Sequence, residues 1–208
     1  TTGKNKAMAD VAAALYHRAI AVMTGSVAMG GFVSLSASES FGVEYWPLEL
    51  YKLSLAPPEA DFSRQVAFIT GGGGGIGSET ARRLVKLDAH VVLADLNGEA
   101  AQTVADEINK SNGDGRAVAV KMNVTDEAAV IDSLRQTVLT YGGVDVVVNN
   151  AGIAGGAAFD ETTLDDWNLN HNVLTTGYFL VAREAFRVMK SQGIGGSMMT
   201  PVARLVMV

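Results

Sequence analysis

From residue 66 onward, short apolar runs alternate with longer stretches that repeat every three or four positions. Val66-Ala67-Phe68-Ile69, Val91-Val92-Leu93-Ala94, Ala117 to Met122 and Val144 to Val148 are rich in β-branched residues and predict strands. Between them, Ile76 to Leu87 places Ile76, Thr80, Leu84 and Leu87 on one predicted helical stripe, and Ala100 to Ile108 does the same through Ala101, Val104, Ala105 and Ile108. Asp126 is the expected N-cap of a third helix, Glu127 to Tyr141. Another helix begins at Asp165-Asp166-Trp167 and runs through Tyr178 and Phe179 to about Met189, where Gly193 to Ser197 ends it ahead of one more strand. Strands alternating with helices predict an α/β fold, a doubly wound parallel sheet with right-handed crossovers.

The first 62 residues follow another pattern and predict a helical and loop appendage to a domain spanning 63–208. Asp10 is the expected cap of a helix ending near Gly25, with Val11, Ala14, Leu15, Ala19 and Val22 on one face. Ser26 to Glu44 shows no sustained period and predicts loop, with a short helical turn around Ser36 to Phe41. Glu44 to Leu53 carries Tyr45, Trp46 and Tyr51 beside Pro47, a proline suited to a first helical turn. These aromatics are expected to pack on the chain's own domain in preference to a partner. Pro57-Pro58 then breaks the chain.

Chemistry enters at the end of the first strand, where six of the seven residues after Thr70 are glycine. A helix N-terminus offers backbone N–H groups to a diphosphate, and glycine lets the ligand approach. Asp95, at the end of the second strand, stands where a carboxylate accepts hydrogen bonds from an adenosine ribose and repels a 2′-phosphate. NAD is therefore the expected cofactor and NADP the weaker one. A flexible glycine linker is the plain alternative, but it predicts neither flanking strands nor an acid at Asp95.

Thr70-Gly71, three residues, then Gly75-Ile76-Gly77 resembles the cofactor loop of the short-chain dehydrogenase/reductase family, and Asn149-Asn150-Ala151-Gly152 resembles its second signature. The resemblance implies a Rossmann-like fold, incomplete on its C-terminal side, with Gly71, Gly75, Ile76, Gly77, Asp95, Asn123, Val124, Asn149, Ala151 and Gly152 at the cofactor. Asn123 stands where the family usually has an acid; its amide carbonyl is expected to meet the adenine amino group, with Val124 on the ring. Residues from about Tyr16 to Pro58 resemble the connector of bacterial proteins that fuse a rhamnulose-1-phosphate aldolase-type domain to such a dehydrogenase. The opening Thr-Thr-Gly-Lys-Asn-Lys, without a start methionine, fits a piece of something longer.

The family's proton donor is a tyrosine with a lysine four residues later, and none of Tyr16, Tyr45, Tyr51, Tyr141 or Tyr178 has that lysine. The family serine has no counterpart among Met198 to Ala203, where Thr200 is the nearest hydroxyl. The family asparagine falls on Leu174, leaving Asn170, one helical turn away, as the candidate catalytic substitute. The missing pair is expected beyond Val208. Three activities compete: an alcohol or hydroxyaldehyde oxidoreductase, lactaldehyde being the family's suggestion; a non-catalytic dinucleotide module; or an unrelated hydrolase. The last finds no Gly-x-Ser-x-Gly nucleophile, and Asp160-Glu161 and Asp165-Asp166 read as helix-end acids.

Charge and composition narrow the partners. The net charge of −6, with no long basic run, argues against nucleic acid and anionic membranes, so the expected partner is a small alcohol or aldehyde. Cysteine is absent and the three histidines are scattered, so neither disulfide nor metal site is expected. No stretch offers the about twenty uninterrupted apolar residues of a membrane span, and cytoplasm is the expected compartment. A sheet ending on an exposed edge is expected to pair with a second copy, giving a homo-oligomer.

Overall fold

The computed structural model describes residues 2–153, 158 and 160–200. The chain divides into two compact units, 1–60 and 61–208.

In the first unit, α1 (Lys6–Ser26) starts four residues before the expected Asp10. The Asn5 side chain accepts from the Met8 N–H and is the cap, while Asp10 lies within the helix and pairs with Lys6 at 2.7 Å. Ser36, with Glu39 three residues on, forms a reciprocal capping box that carries α2 (Ala37–Glu44) further than the predicted turn. Pro47 opens α3 (Pro47–Ser54) as its geometry favours. None of these helices buries a residue, and Tyr45, Trp46 and Tyr51 are all more than half exposed. By length and composition the helical run Lys6–Met29 is long and apolar enough to cross a membrane, contrary to expectation. The run is not uninterrupted: His17, Arg18 and Thr24 break it, while alanine, valine and methionine carry the average.

The second unit is a five-stranded, wholly parallel sheet. In chain order it comprises β1 (Val66–Thr70), α4 (Gly75–Lys86), β2 (His90–Asp95), α5 (Gly98–Asn112), β3 (Ala117–Lys121), α6 (Glu127–Tyr141), β4 (Val146–Val148), α7 (Leu164–His171), a π-helical turn (Asn172–Thr176), α8 (Gly177–Gln192) and β5 (Ser197–Met199). The strand order is β3-β2-β1-β4-β5, so the chain winds outward from β1 first to one side and then to the other. Helices cover both faces, which explains the unbroken apolar runs of β1 and β2. Ala67, Ile69, Val91 and Leu93 pack toward α4 and α5, while Phe68, Val92 and Val147 pack toward α6 and α8.

Two helices differ from the predicted pattern. The buried face of α4 is Gly77, Ser78, Ala81 and Val85, and Ile76 is 75% exposed. Small residues face the sheet because the helix lies close on it; of the expected stripe, Leu84 packs against the core while Ile76 and Leu87 are exposed. The helix expected from Asp165 to Met189 is interrupted by the π turn; its start matches, with the Thr163 hydroxyl and the Asp166 carboxylate capping each other.

Candidate active site

The site forms at the carboxyl ends of β1, β2, β3 and β4, where the order of the strands reverses about β1. A cleft of about 530 Å³ opens there. Its floor is the glycine loop after Thr70. Gly71 adopts φ +67°, a conformation side chains disfavour, and turns the chain out of the sheet. The Gly74 N–H donates to the Gly71 carbonyl, and Gly74 begins α4 without any side-chain cap. The first-turn N–H groups of α4 are thereby left for a ligand.

Two glycines in this loop do different things. A Cβ on Gly77 would lie 2.2 Å from the Gly71 carbonyl oxygen and 2.9 Å from Asn150 Nδ2, so Gly77 is where the helix meets the loop, buried beneath the cleft. A Cβ on Gly75 would meet no atom within 4 Å, and its empty space belongs to the cleft.

Thr70 ties the two signature segments together. Its buried hydroxyl accepts from the backbone N–H of Asn150 and of Ala151, both at 2.9 Å. Asn150 Nδ2 donates in return to the Thr70 carbonyl at 3.0 Å and to the Gly71 carbonyl at 3.3 Å. Asn150, Ala151 and Gly152 therefore stand in the cleft wall, whereas Asn149 is buried behind it. Asn149 Nδ2 donates to the Tyr178 carbonyl at 3.3 Å, and Oδ1 has no hydrogen-bond partner among the described residues.

Asp95 sits at the rim. One carboxylate oxygen accepts from the Gly73 N–H and the other from the Asn97 N–H, both at 2.9 Å, which aims the acid into the cleft opening. Ionised carboxylate oxygens keep further lone pairs for a ligand. Asn123 also lines the cleft, but its Oδ1 accepts from the N–H and hydroxyl of Thr125 at 3.0 and 2.9 Å; the acceptor expected for an adenine is engaged in a turn. Val124 is nearly buried, and a Cβ on Gly177 would come within 2.8 Å of its Cγ2.

The geometry thus brings Gly71, Gly75, Ile76, Asp95, Asn123, Val124, Ala151 and Gly152 to one cleft. Gly77 and Asn149 support it from beneath. Asn170 is not brought to the lining; its Nδ2 donates to the Asp166 carbonyl one turn back in α7. Leu174 lies against Gly152, 3.3 Å from the position of an added Cβ, and Val173 of the same π turn lines the cleft. Sequence reasoning gave no role to Asn97, Asn150 or Val173. Asn150 was within reach, since a threonine at a strand end beside an asparagine at another is a natural hydrogen-bonded pair. Burial pushes the Tyr178 phenol above its ordinary pKa.

Comparison with known proteins agrees with this geometry. Residues 65–200 match the family model for short chain dehydrogenase, and residues 1–53 match the model for the second domain of class II aldolases. The uncharacterized oxidoreductase YuxG of Bacillus subtilis is 63% identical over 95% of this chain, which spans 29% of YuxG. The crystal structure of NAD+-bound xylitol dehydrogenase superposes with a TM-score of 0.63 at 30% identity, covering 67% of this chain and 53% of that one. The 3-ketoacyl-(acyl-carrier-protein) reductase of Brucella melitensis complexed with NADH gives 0.61 at 31% identity, covering 65% and 56%. With a doubly wound sheet, both glycine and asparagine signatures on one cleft, and a family match over more than half its length, the chain belongs to the short chain dehydrogenase family.

Proposed function

We infer that this chain is the cofactor-binding half of an NAD-dependent oxidoreductase acting on a small alcohol or hydroxyaldehyde. The observation that carries the reading is the uncapped N-terminus of α4 opening, at Gly75, into the cleft that Asp95 borders. The residues present fit a dinucleotide: space at Gly75, first-turn N–H groups for a diphosphate, and a carboxylate for a ribose diol. Solved relatives hold NAD+ or NADH. When bound, the nicotinamide supplies the hydride acceptor or donor. This chain's own residues bind and orient: Gly71 and Gly75 admit the diphosphate, Asp95 takes the ribose, Val124 flanks the adenine, and Ala151 and Gly152 shape the wall beyond.

Proton transfer to the substrate oxygen needs a group that the 208 residues do not place by the family pattern, since no tyrosine is followed four residues later by lysine. A dinucleotide-binding module without turnover is therefore the second reading. Calorimetric titration with NAD+ and NADP+ tests the binding that both readings share. NAD+ is expected to bind more tightly, and Asp95→Ala to remove the difference; equal affinities in the parent chain would sink the assignment of Asp95.

The first unit we assign to an aldolase-type domain, whose remaining structure would cover the apolar helix α1. The match over residues 1–53 favours that burial over a membrane crossing, and cytoplasm is the compartment that goes with it. Phe179 and Phe186 on α8 and Met199 on β5 are all more than half exposed, apolar surface that supports a homo-oligomer.

A further inference from the structure

Lys121, the last residue of β3, is the Cα partner of Asp95 in β2. Side chains in register on adjacent parallel strands leave toward the same face, with backbones about 4.8 Å apart. That face is the side of α4 and α5, where Leu93 and Ala119, each two residues earlier, also pack. The stem of Lys121 lies along the start of α5: a Cβ on Gly98 would come 3.0 Å from Lys121 Cβ and 3.6 Å from its Cδ. Asn97 and Met122, neighbours of these two residues in sequence, line the cleft. The Asp95 carboxylate is held by the Gly73 and Asn97 N–H groups, and among the described residues Lys121 forms no ion pair and no side-chain hydrogen bond. An exposed lysine is ordinarily a solvated charge. This one is set in register with the acid at the ribose end of the cleft, over a glycine that leaves room for its stem.

We propose that Lys121 is a specificity residue for the adenosine end of the cofactor, supplying the positive charge that meets a 2′-phosphate. The inference rests on the dinucleotide reading of the cleft. Asp95 favours a ribose diol and repels a phosphate in its place; the ammonium one strand away offsets part of that repulsion. NADP is then a weaker second cofactor, not an excluded one. Because Lys121 is exposed, salt screens its contribution.

The test is calorimetric titration of the full chain and of Lys121→Gln with NAD+ and NADP+, at low and at physiological ionic strength. Lys121→Gln is expected to weaken NADP+ about fivefold at low salt, the upper range for an exposed ion pair, while NAD+ changes by less than about twofold. The salt dependence of NADP+ binding should shrink in the same variant. Equal weakening of both cofactors, or unchanged NADP+ affinity, overturns the proposal while leaving the cleft a dinucleotide site. Failure of the parent chain to bind either cofactor overturns the dinucleotide reading itself, and this inference with it.

Discussion

Gly75 and Gly77 stand two residues apart in the same loop, and replacing each should fail in a different way. At Gly77 an added Cβ lies 2.2 Å from the Gly71 carbonyl oxygen, a backbone atom fixed by the turn at Gly71, so no flexible side chain can move aside. Overpacking typically costs about 1–3 kcal/mol, and a clash with backbone belongs at the upper end. For a protein of this size about 1 kcal/mol corresponds to roughly 2–4 °C, so Gly77→Ala should lower the melting temperature of the second unit by about 6–12 °C. At Gly75 an added Cβ meets no atom within 4 Å and points into the open cleft, so Gly75→Val should melt within about 2 °C of the parent, as exposed substitutions do. Its effect falls on the ligand: NAD+ and NADP+ should both weaken at least about tenfold, close to 1.4 kcal/mol. Differential scanning calorimetry gives the first quantity and isothermal titration the second. A Gly77→Ala chain as stable as the parent would refute the close approach of helix and loop. A Gly75→Val chain with unchanged cofactor affinity would refute the placement of the diphosphate at α4.

Thr70→Val keeps the shape of the buried threonine but leaves the N–H groups of Asn150 and Ala151 without their acceptor; unfolding in urea should show a loss of about 2 kcal/mol, and NAD+ affinity should fall as the wall loosens. His90 is nearly buried beside the Tyr141 ring; burial, and then Arg116, hold its pKa below the ordinary value, against the opposing pull of Asp88. The folded state therefore binds a proton less readily than the unfolded chain. The stability contributed by neutral His90 is complete above about pH 6.5 and declines as pH falls from there through the folded-state pKa. His90→Gln should flatten that part of the stability profile, and an unchanged slope would exclude His90 as its source. NADH formation from lactaldehyde-like and simple alcohols by this chain should fall about a hundred- to ten-thousandfold below ordinary turnover for want of a placed acid-base, with Asn170→Ala no different; turnover of roughly 1 to 1,000 per second would reveal another proton donor.

The alternation of strands and helices, and the position of the binding loop along the chain, can be read from local patterns in the chain. The runs at Val66–Thr70 and His90–Asp95 were legible because both faces of a parallel sheet are covered, so burial leaves an unbroken apolar signature. The stripe of α5 and the Asp126 cap of α6 were legible because their signals lie within a few residues of each other. Which glycine faces the open cleft and which faces the protein emerges from packing, because it depends on Gly71, Asn150 and the cleft, not on neighbours in sequence. The same holds for the division of labour between Asn149 and Asn150. The Asn150 amide joins the cleft wall by donating to the carbonyls of Thr70 and Gly71, far away in sequence, while the Asn149 amide turns to the Tyr178 carbonyl behind it. Asn170 illustrates the limit from the other direction: helical spacing places it one turn from Leu174, but the π turn between α7 and α8 changes the phase of the helix, and its amide donates to the Asp166 carbonyl one turn back instead.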